Sequence, residues 1–359
     1  LPEVPYFEWQ QLLRYMLLKP PAPALPARRL RGDASAASTD RQTAVRSLGG
    51  ESGHDSGTWV LVHGGTGTLT PYNALLPHLR AAHPGPLIGL EVSDPGRYLD
   101  LPAQTVITRQ AADYATELVE HDRRFRIIGY SVGGLLAAEI ARTLTEAGAT
   151  VDELTVIGSY QPPAVHDELM VEYIFAQAVG VDPVAVGFPA EAEAFETALR
   201  SILERTPDRV PAGALTGLDG DSAPLAVKFR ELAAVPRADR VAALHAAATG
   251  GTGPYHSGGL SLDEFRKQFE LFAHNLRAMG AHRAEPYFGP VRVLRNSGSA
   301  TLLGTRTEVD RFWSRIGLGA LVIEDIPGDH LSSMAASHAA ALADRITAPL
   351  PDSGIETRP

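Results

Sequence analysis

Residues 125–143 read FRIIGYSVGGLLAAEIART. Arg126 to Ile128 is a short apolar strand, and a helix runs from about Val132. Between them lies G-x-S-x-G, as Gly129-Tyr130-Ser131-Val132-Gly133, with Gly134 next. A serine at so sharp a strand-to-helix turn is held in a strained backbone conformation that lifts its hydroxyl above the sheet edge. Side chains at 129 and 133 would collide with the neighbouring strand and helix. The helix behind Ser131 aims its free amide groups and positive dipole end at the place where an oxyanion forms in acyl transfer. The strand before and the amphipathic helix after turn a common short motif into a specific one. Ser131 is therefore the candidate nucleophile.

Working outward, the chain alternates strand and helix. TWVLVHGG from Thr58 is an apolar strand ending in His63-Gly64-Gly65. Pro86 to Val92 is a second strand, Gln104 to His121 a helix, and Leu154 to Gly158 a strand after the Ser131 helix. This pattern predicts a mostly parallel sheet covered by helices on both faces. From Gln161 to about Tyr287 the alternation stops. Helical patterns over Glu168–Val179, Glu191–Glu204 and Leu262–Met279 are separated by proline and glycine breaks, which predicts a helical lid over the C-terminal edge of the sheet. The alternation resumes with PVRVLR at 290–295, a helix over Glu308–Ile316, a strand over Ala320–Ile326 and a last helix to about Ile346.

Gly328-Asp329-His330 falls between that last strand and last helix. A loop there presents an imidazole, whose pKa near neutrality suits a general base, and the order Ser then His pairs His330 with Ser131. The glycines after His63 let a backbone N–H approach a reacting carbonyl. The amides of Gly65 and Val132 are the expected oxyanion hole. His63 itself reads as structural. In the lid, Met170, Tyr173, Ile174, Phe175, Phe188, Phe195, Phe269 and Phe272 line a channel or pack the lid onto the sheet, and core packing is the expectation for most of them.

The remaining segments fix the boundaries. The expected organisation is an amphipathic helix and flexible linker over 1–57, the α/β domain over 58–347 with its lid at about 161–287, and a disordered tail over 348–359. Phe7, Trp9, Leu12, Leu13, Met16 and Leu17 recur at helical spacing, which fits a cap on the domain or a docking or dimer element. The start lacks Met, so the reading is a domain cut from a longer chain or a processed end.

Of the 359 residues, 44% are apolar, enough for one large core. No apolar run of about 18 residues and no signal peptide is present, so neither a membrane span nor export is expected. There is no cysteine, which excludes disulfides, thiolate metal ligands and a cysteine nucleophile. The formal net charge of −10 argues against nucleic acid as a partner. The cytoplasm is the expected compartment.

These residues resemble the thioesterase domains that end polyketide synthase and nonribosomal peptide synthetase assembly lines. GYSVGGLLAAEIA is similar to that family's nucleophile turn and LVHGGTGTLTPYNALLPHL to its oxyanion segment. LTVIGSYQPP, FELFAHNLRAMGAHRAEPYFGPVRVLR and IEDIPGDHLSSM follow in the family's order. The resemblance covers roughly residues 58–346. It implies an α/β-hydrolase fold with a helical lid and no bound cofactor. It also implies an acyl or peptidyl chain delivered as a thioester on the phosphopantetheine arm of a carrier domain, taken by Ser131 and released by water or by a nucleophile within the chain. The carriers are commonly acidic, so Arg230, Arg237 and Arg283 are candidate docking cations.

One position departs from the pattern. The family usually carries its triad aspartate at the end of the strand after the nucleophile helix, often as I-D-S-Y. This chain has Gly158 and then Ser159 there. After the next strand, the alternative place, it has Asn296-Ser297-Gly298-Ser299. Asn296, Ser159 and Asp167, with Glu168 and Asp94, are the candidates for the group that orients His330. Without a carboxylate, two other readings stand beside the thioesterase: a stand-alone serine esterase, and a non-catalytic α/β-hydrolase relative that binds a ligand.

Overall fold

The computed structural model describes residues 44–50, 57–248, 255, 259–298 and 305–350. The expected N-terminal helix over residues 1–20 and the tail from residue 351 lie outside the described residues. Among those described, no helix is long and apolar enough to cross a membrane.

The centre is a seven-stranded sheet. Its strands are β1 (Val45–Gly49), β2 (Thr58–Val62), β3 (Leu87–Leu90), β4 (Arg124–Tyr130), β5 (Thr150–Ile157), β8 (Val291–Asn296) and β9 (Leu321–Ile326). They lie in the order β1-β3-β2-β4-β5-β8-β9. All neighbours are parallel except β1, which pairs antiparallel with β3. Parallel strands are covered on both faces and therefore carry near-continuous apolar runs. Along β4, Phe125 and Ile127 enter one core cluster while Ile128 and Tyr130 enter the other, on the opposite face.

The expected linker over 27–57 is corrected at its C-terminal end. Val45 to Gly49 adds an edge strand, with Leu48 buried and a register shift between Ser47 and Gly49. An edge strand needs only one partner and little apolar area, so its five residues carry almost no periodic signal.

Helices α1 (Leu76–Ala82), α2 (Pro95–Asp100), α3 (Ala103–Leu118), α4 (Val132–Glu146), α10 (Arg306–Ile316) and α11 (Ala336–Thr347) surround the sheet. The region between β5 and β8 is helical as expected, with α5 (Glu168–Ala178), α6 (Ala192–Arg205), α7 (Ala223–Ala234), α8 (Arg237–Ala248) and α9 (Leu262–Ala281). It also holds a pair absent from the sequence reading, β6 (Ala164–Val165) and β7 (Arg209–Val210), too short for a period-two pattern to register. Helix α9 opens with a capping box between Ser261 and Glu264. It then lays Phe265, Phe269 and Phe272 beside Phe175 of α5. Most of the lid aromatics thus pack the core, as expected.

Strands β4, β5, β8 and β9 end on the same edge of the sheet. In open parallel sheets that edge is where functional groups converge. Ser131 follows β4, Gly158 follows β5, Asn296 ends β8 and His330 follows β9.

Candidate active site

Ser131 has φ 56° and ψ −128°, and it is the single non-glycine residue with positive φ among those described. Its neighbours make that conformation possible. A Cβ at Gly129 would run into the carbonyl of Gly133. A Cβ at Gly133 would lie 2.5 Å from the His63 carbonyl oxygen and 2.8 Å from that of Val62. A Cβ at Gly134 would run into the side chain of Ser159. The glycines thus let α4 start hard against β2 and β5. The Ser131 N–H donates to the Ile157 carbonyl at 3.1 Å, which fixes the turn to the neighbouring strand.

His330 meets this turn from the other end of the chain. Its Nε2 lies 3.2 Å from Ser131 Oγ, and both residues are buried. Tyr130 clamps the imidazole. Its ring stacks at 5.0 Å and 23°, and its hydroxyl donates to the His330 carbonyl at 2.7 Å. Tyr130 is itself held, its N–H donating to the hydroxyl of Tyr72, which donates to the Val62 carbonyl. Burial pulls the His330 pKa down to about 4, against the opposing pull of the Asp329 carboxylate and a hydrogen bond to the Gly158 carbonyl. That last bond takes the proton of Nδ1, leaving Nε2 as the acceptor that faces Ser131.

The candidates for the orienting group separate clearly. Gly158 has φ +53°, and a Cβ there would lie 2.6 Å from Asn296 Oδ1 and 3.0 Å from His330 Nδ1. Asn296 therefore sits directly beside the imidazole. It is fully buried, its Nδ2 donates to the Asp329 carbonyl at 3.0 Å, and its Oδ1 has no partner. Ser159 does not face His330. Its side chain packs on Gly134, and its carbonyl accepts from Trp313 Nε1 at 2.6 Å. Asp167 is corrected too. It caps the N-terminus of α5, accepting from the N–H groups of Met170 at 3.0 Å and Leu215 at 3.1 Å. Asp94 caps α2, and Glu168 is paired with Arg237. A buried carboxylate satisfied by backbone amides is a structural cap.

On the other side of Ser131, the Gly64–Gly65 peptide is locked. The Gly64 carbonyl accepts from Gly67 N–H at 3.0 Å and contacts His63 Nδ1 at 2.9 Å. The Gly65 carbonyl accepts from Asn275 Nδ2 at 2.8 Å, and Asn275 Oδ1 accepts from the Tyr98 hydroxyl at 2.6 Å. These bonds aim the Gly65 N–H into the site. Val132 is the first residue of α4, where N–H groups have no partner inside the helix. His63 is buried and structural, as expected, and burial lowers its pKa to about 4.

Gly65, Ser131, Val132, Ile174, Tyr255, Phe272, Asn275 and His330 are among the residues lining one cavity of about 20 Å³. Of the lid aromatics named from the sequence, Phe272 reaches it. Asn275 and Tyr255 were missed. Asn275 has a signal in retrospect, an amide at a core position of an otherwise apolar helix stripe. Tyr255 stands in a glycine-rich stretch with no period at all. The docking candidates divide: Arg237 is tied to Glu168 and Glu270, Arg230 donates to the Thr216 carbonyl, and Arg283 is exposed.

Known proteins resemble this chain in sequence and in fold. Residues 58–177 match the model of the thioesterase domain family. Pyochelin synthetase PchF of Pseudomonas aeruginosa is 35% identical over 298 residues, 82% of this chain. The chain spans 15% of the length of that relative. Among solved structures, the Vlm2 thioesterase domain superposes with a TM-score of 0.51 at 21% identity, covering 84% of this chain and 96% of that one. The four-domain nonribosomal peptide synthetase AB3403 superposes with a TM-score of 0.51 at 20% identity, covering 86% of this chain and 20% of that one. A mostly parallel sheet, the family match over residues 58–177 and these relatives lead to one statement: the chain is similar to thioesterase domains and has their α/β-hydrolase fold.

Proposed function

We propose that this domain releases an acyl or peptidyl chain from the phosphopantetheine arm of a carrier domain, through an ester on Ser131. The observation that carries the reading is the 3.2 Å approach of His330 Nε2 to the hydroxyl of a serine held at positive φ. Ser131 Oγ attacks the thioester carbonyl while His330 Nε2 takes its proton. The oxyanion is met by the N–H groups of Gly65 and Val132. Collapse breaks the C–S bond, and the imidazolium returns the proton to the departing thiol. Water, or a hydroxyl or amine within the chain, then attacks the ester with His330 again as base. Release gives an acid or a ring.

The third position of the triad is filled by two neutral groups. The Gly158 carbonyl holds the Nδ1 proton, and Asn296 sits beside it, fixing the tautomer without a buried negative charge. Neutralising the acid in a serine triad costs about 10⁴ in rate where the tautomer is lost. Here the tautomer is kept, so the cost falls on the imidazolium alone. The reading needs no bound cofactor.

The test is intact-mass analysis of the protein after exposure to an acyl-thioester mimic. Ser131→Ala should carry no acyl group; equal acylation of that variant rejects the reading.

A further inference from the structure

The phenol of Tyr255 reaches the site between α8 and α9, and the steps above make no use of it. Its hydroxyl accepts from the Gly65 N–H at 2.9 Å. Burial raises its pKa above the ordinary phenol range, opposed by the Gly65 hydrogen bond and by one to the Ser131 side chain. The phenol is therefore protonated, and it sits beside the Ser131 side chain. The Tyr255 ring is held edge-on by Phe272 and lies tilted against Tyr130, and its N–H donates to the Ala178 carbonyl.

The phenol takes up the room that a substrate needs. A carbonyl under attack by Ser131 must bring its oxygen to hydrogen-bond distance of the Gly65 N–H. Tyr255 Oη stands there. The cavity alongside holds about 20 Å³, little more than one water. Gly64 is shaped to admit the ring. A Cβ at Gly64 would lie 2.5 Å from Tyr255 Oη and 2.9 Å from its Cε1. Gly64 is absent from the residues at positive φ, so this contact is what excludes a side chain there.

We propose that the Tyr255 hydroxyl is a resident surrogate for the acyl oxygen. It occupies the oxyanion position of the free enzyme, and a thioester carbonyl must displace it before Ser131 is acylated. No covalent bond changes in that step; the Gly65 N–H exchanges one acceptor for another. Tyr255 is thus a positioning residue that sets the cost of productive entry. The inference rests on the roles proposed above for Ser131, His330 and Gly65.

Tyr255→Phe keeps the ring and removes the oxygen. Labelling of Ser131 by a fluorophosphonate, whose P=O oxygen requires the same position, should speed up by roughly two- to tenfold, the worth of one hydrogen bond. KM for an acyl-thioester mimic should fall by a similar factor while kcat stays within about twofold. Gly64→Ala, which displaces the phenol by contact, should also speed labelling. If Tyr255 instead donates to the forming oxyanion, the Phe variant labels more slowly and kcat falls, which overturns the proposal. An unchanged labelling rate overturns it as well. Failure of the wild-type protein to label at Ser131 would refute the catalytic reading beneath it. Normal wild-type labelling with no acceleration in the Phe variant would refute this inference alone.

Discussion

A Cβ on Gly158 would lie 3.0 Å from His330 Nδ1, at the position where related domains usually begin an aspartate side chain. The chain places nothing but backbone there, and the carbonyl of the same residue takes the imidazole proton. Asn296, from the neighbouring strand, closes the gap with its amide. In the proposed triad the orienting group is thus neutral and drawn from the ends of β5 and β8.

Asn296→Asp should put a carboxylate beside His330 Nδ1. The expected result is a higher pKa for His330 and faster acylation, since the imidazolium gains a counter-charge. Asn296→Leu removes one of two donors to the Asp329 carbonyl, the Ser333 N–H remaining, and should cost only about 0.5–1.5 kcal/mol. Pre-steady-state acylation across pH, with urea unfolding of each variant, checks both.

The acid limb of kcat/KM should lie near pH 4 and not near 6.5, because burial holds His330 neutral down to about 4. Stability carries the same sign. His330 and His63 have pKa values of about 4 in the fold against 6.5 unfolded. Between those values the unfolded chain binds more protons, so stability is full above pH 6.5 and is lost as the pH falls toward 4. Thermal unfolding across that window should show Tm dropping with pH. His63→Phe should reduce the slope.

In the proposed mechanism Asn275 holds the Gly65 carbonyl and so positions the oxyanion hole. Asn275→Leu should free the Gly65 peptide and lower kcat by about tenfold or more, with KM little changed. A parallel loss of stability from the unpaired Tyr98 hydroxyl accompanies it. Steady-state kinetics and a melting curve separate the two effects.

Gly133→Ala should fold poorly, since the new Cβ meets the backbone carbonyls of His63 and Val62, which cannot move aside. Soluble yield and near-ultraviolet circular dichroism report this directly.

Much of this arrangement was legible in the sequence because it rests on local constraints. The G-x-S-x-G turn names its own serine, since only that spacing of glycines lets a strand fold straight into a helix. The strands of the parallel sheet are buried on both faces and announce themselves as apolar runs. The histidine follows from chain order. What was not legible depends on contacts made across long sequence separations. Asn296 stands next to His330 only because β8 and β9 pair in register, through Asn296 and Ile326. Asp167 lies in the same chain order as a triad acid but spends its oxygens on the lid's own amides. Edge strand β1 has too few apolar residues to show a period. Tyr255 reaches Gly65 across 190 positions, and no local pattern encodes that contact.

The most direct measurement is the mass of the intact protein after brief exposure to an acyl-thioester mimic. The account predicts one added acyl group on the wild-type chain, mapped by peptide analysis to Ser131, and none on Ser131→Ala. An acyl group found on another residue, or carried equally by Ser131→Ala, would contradict it.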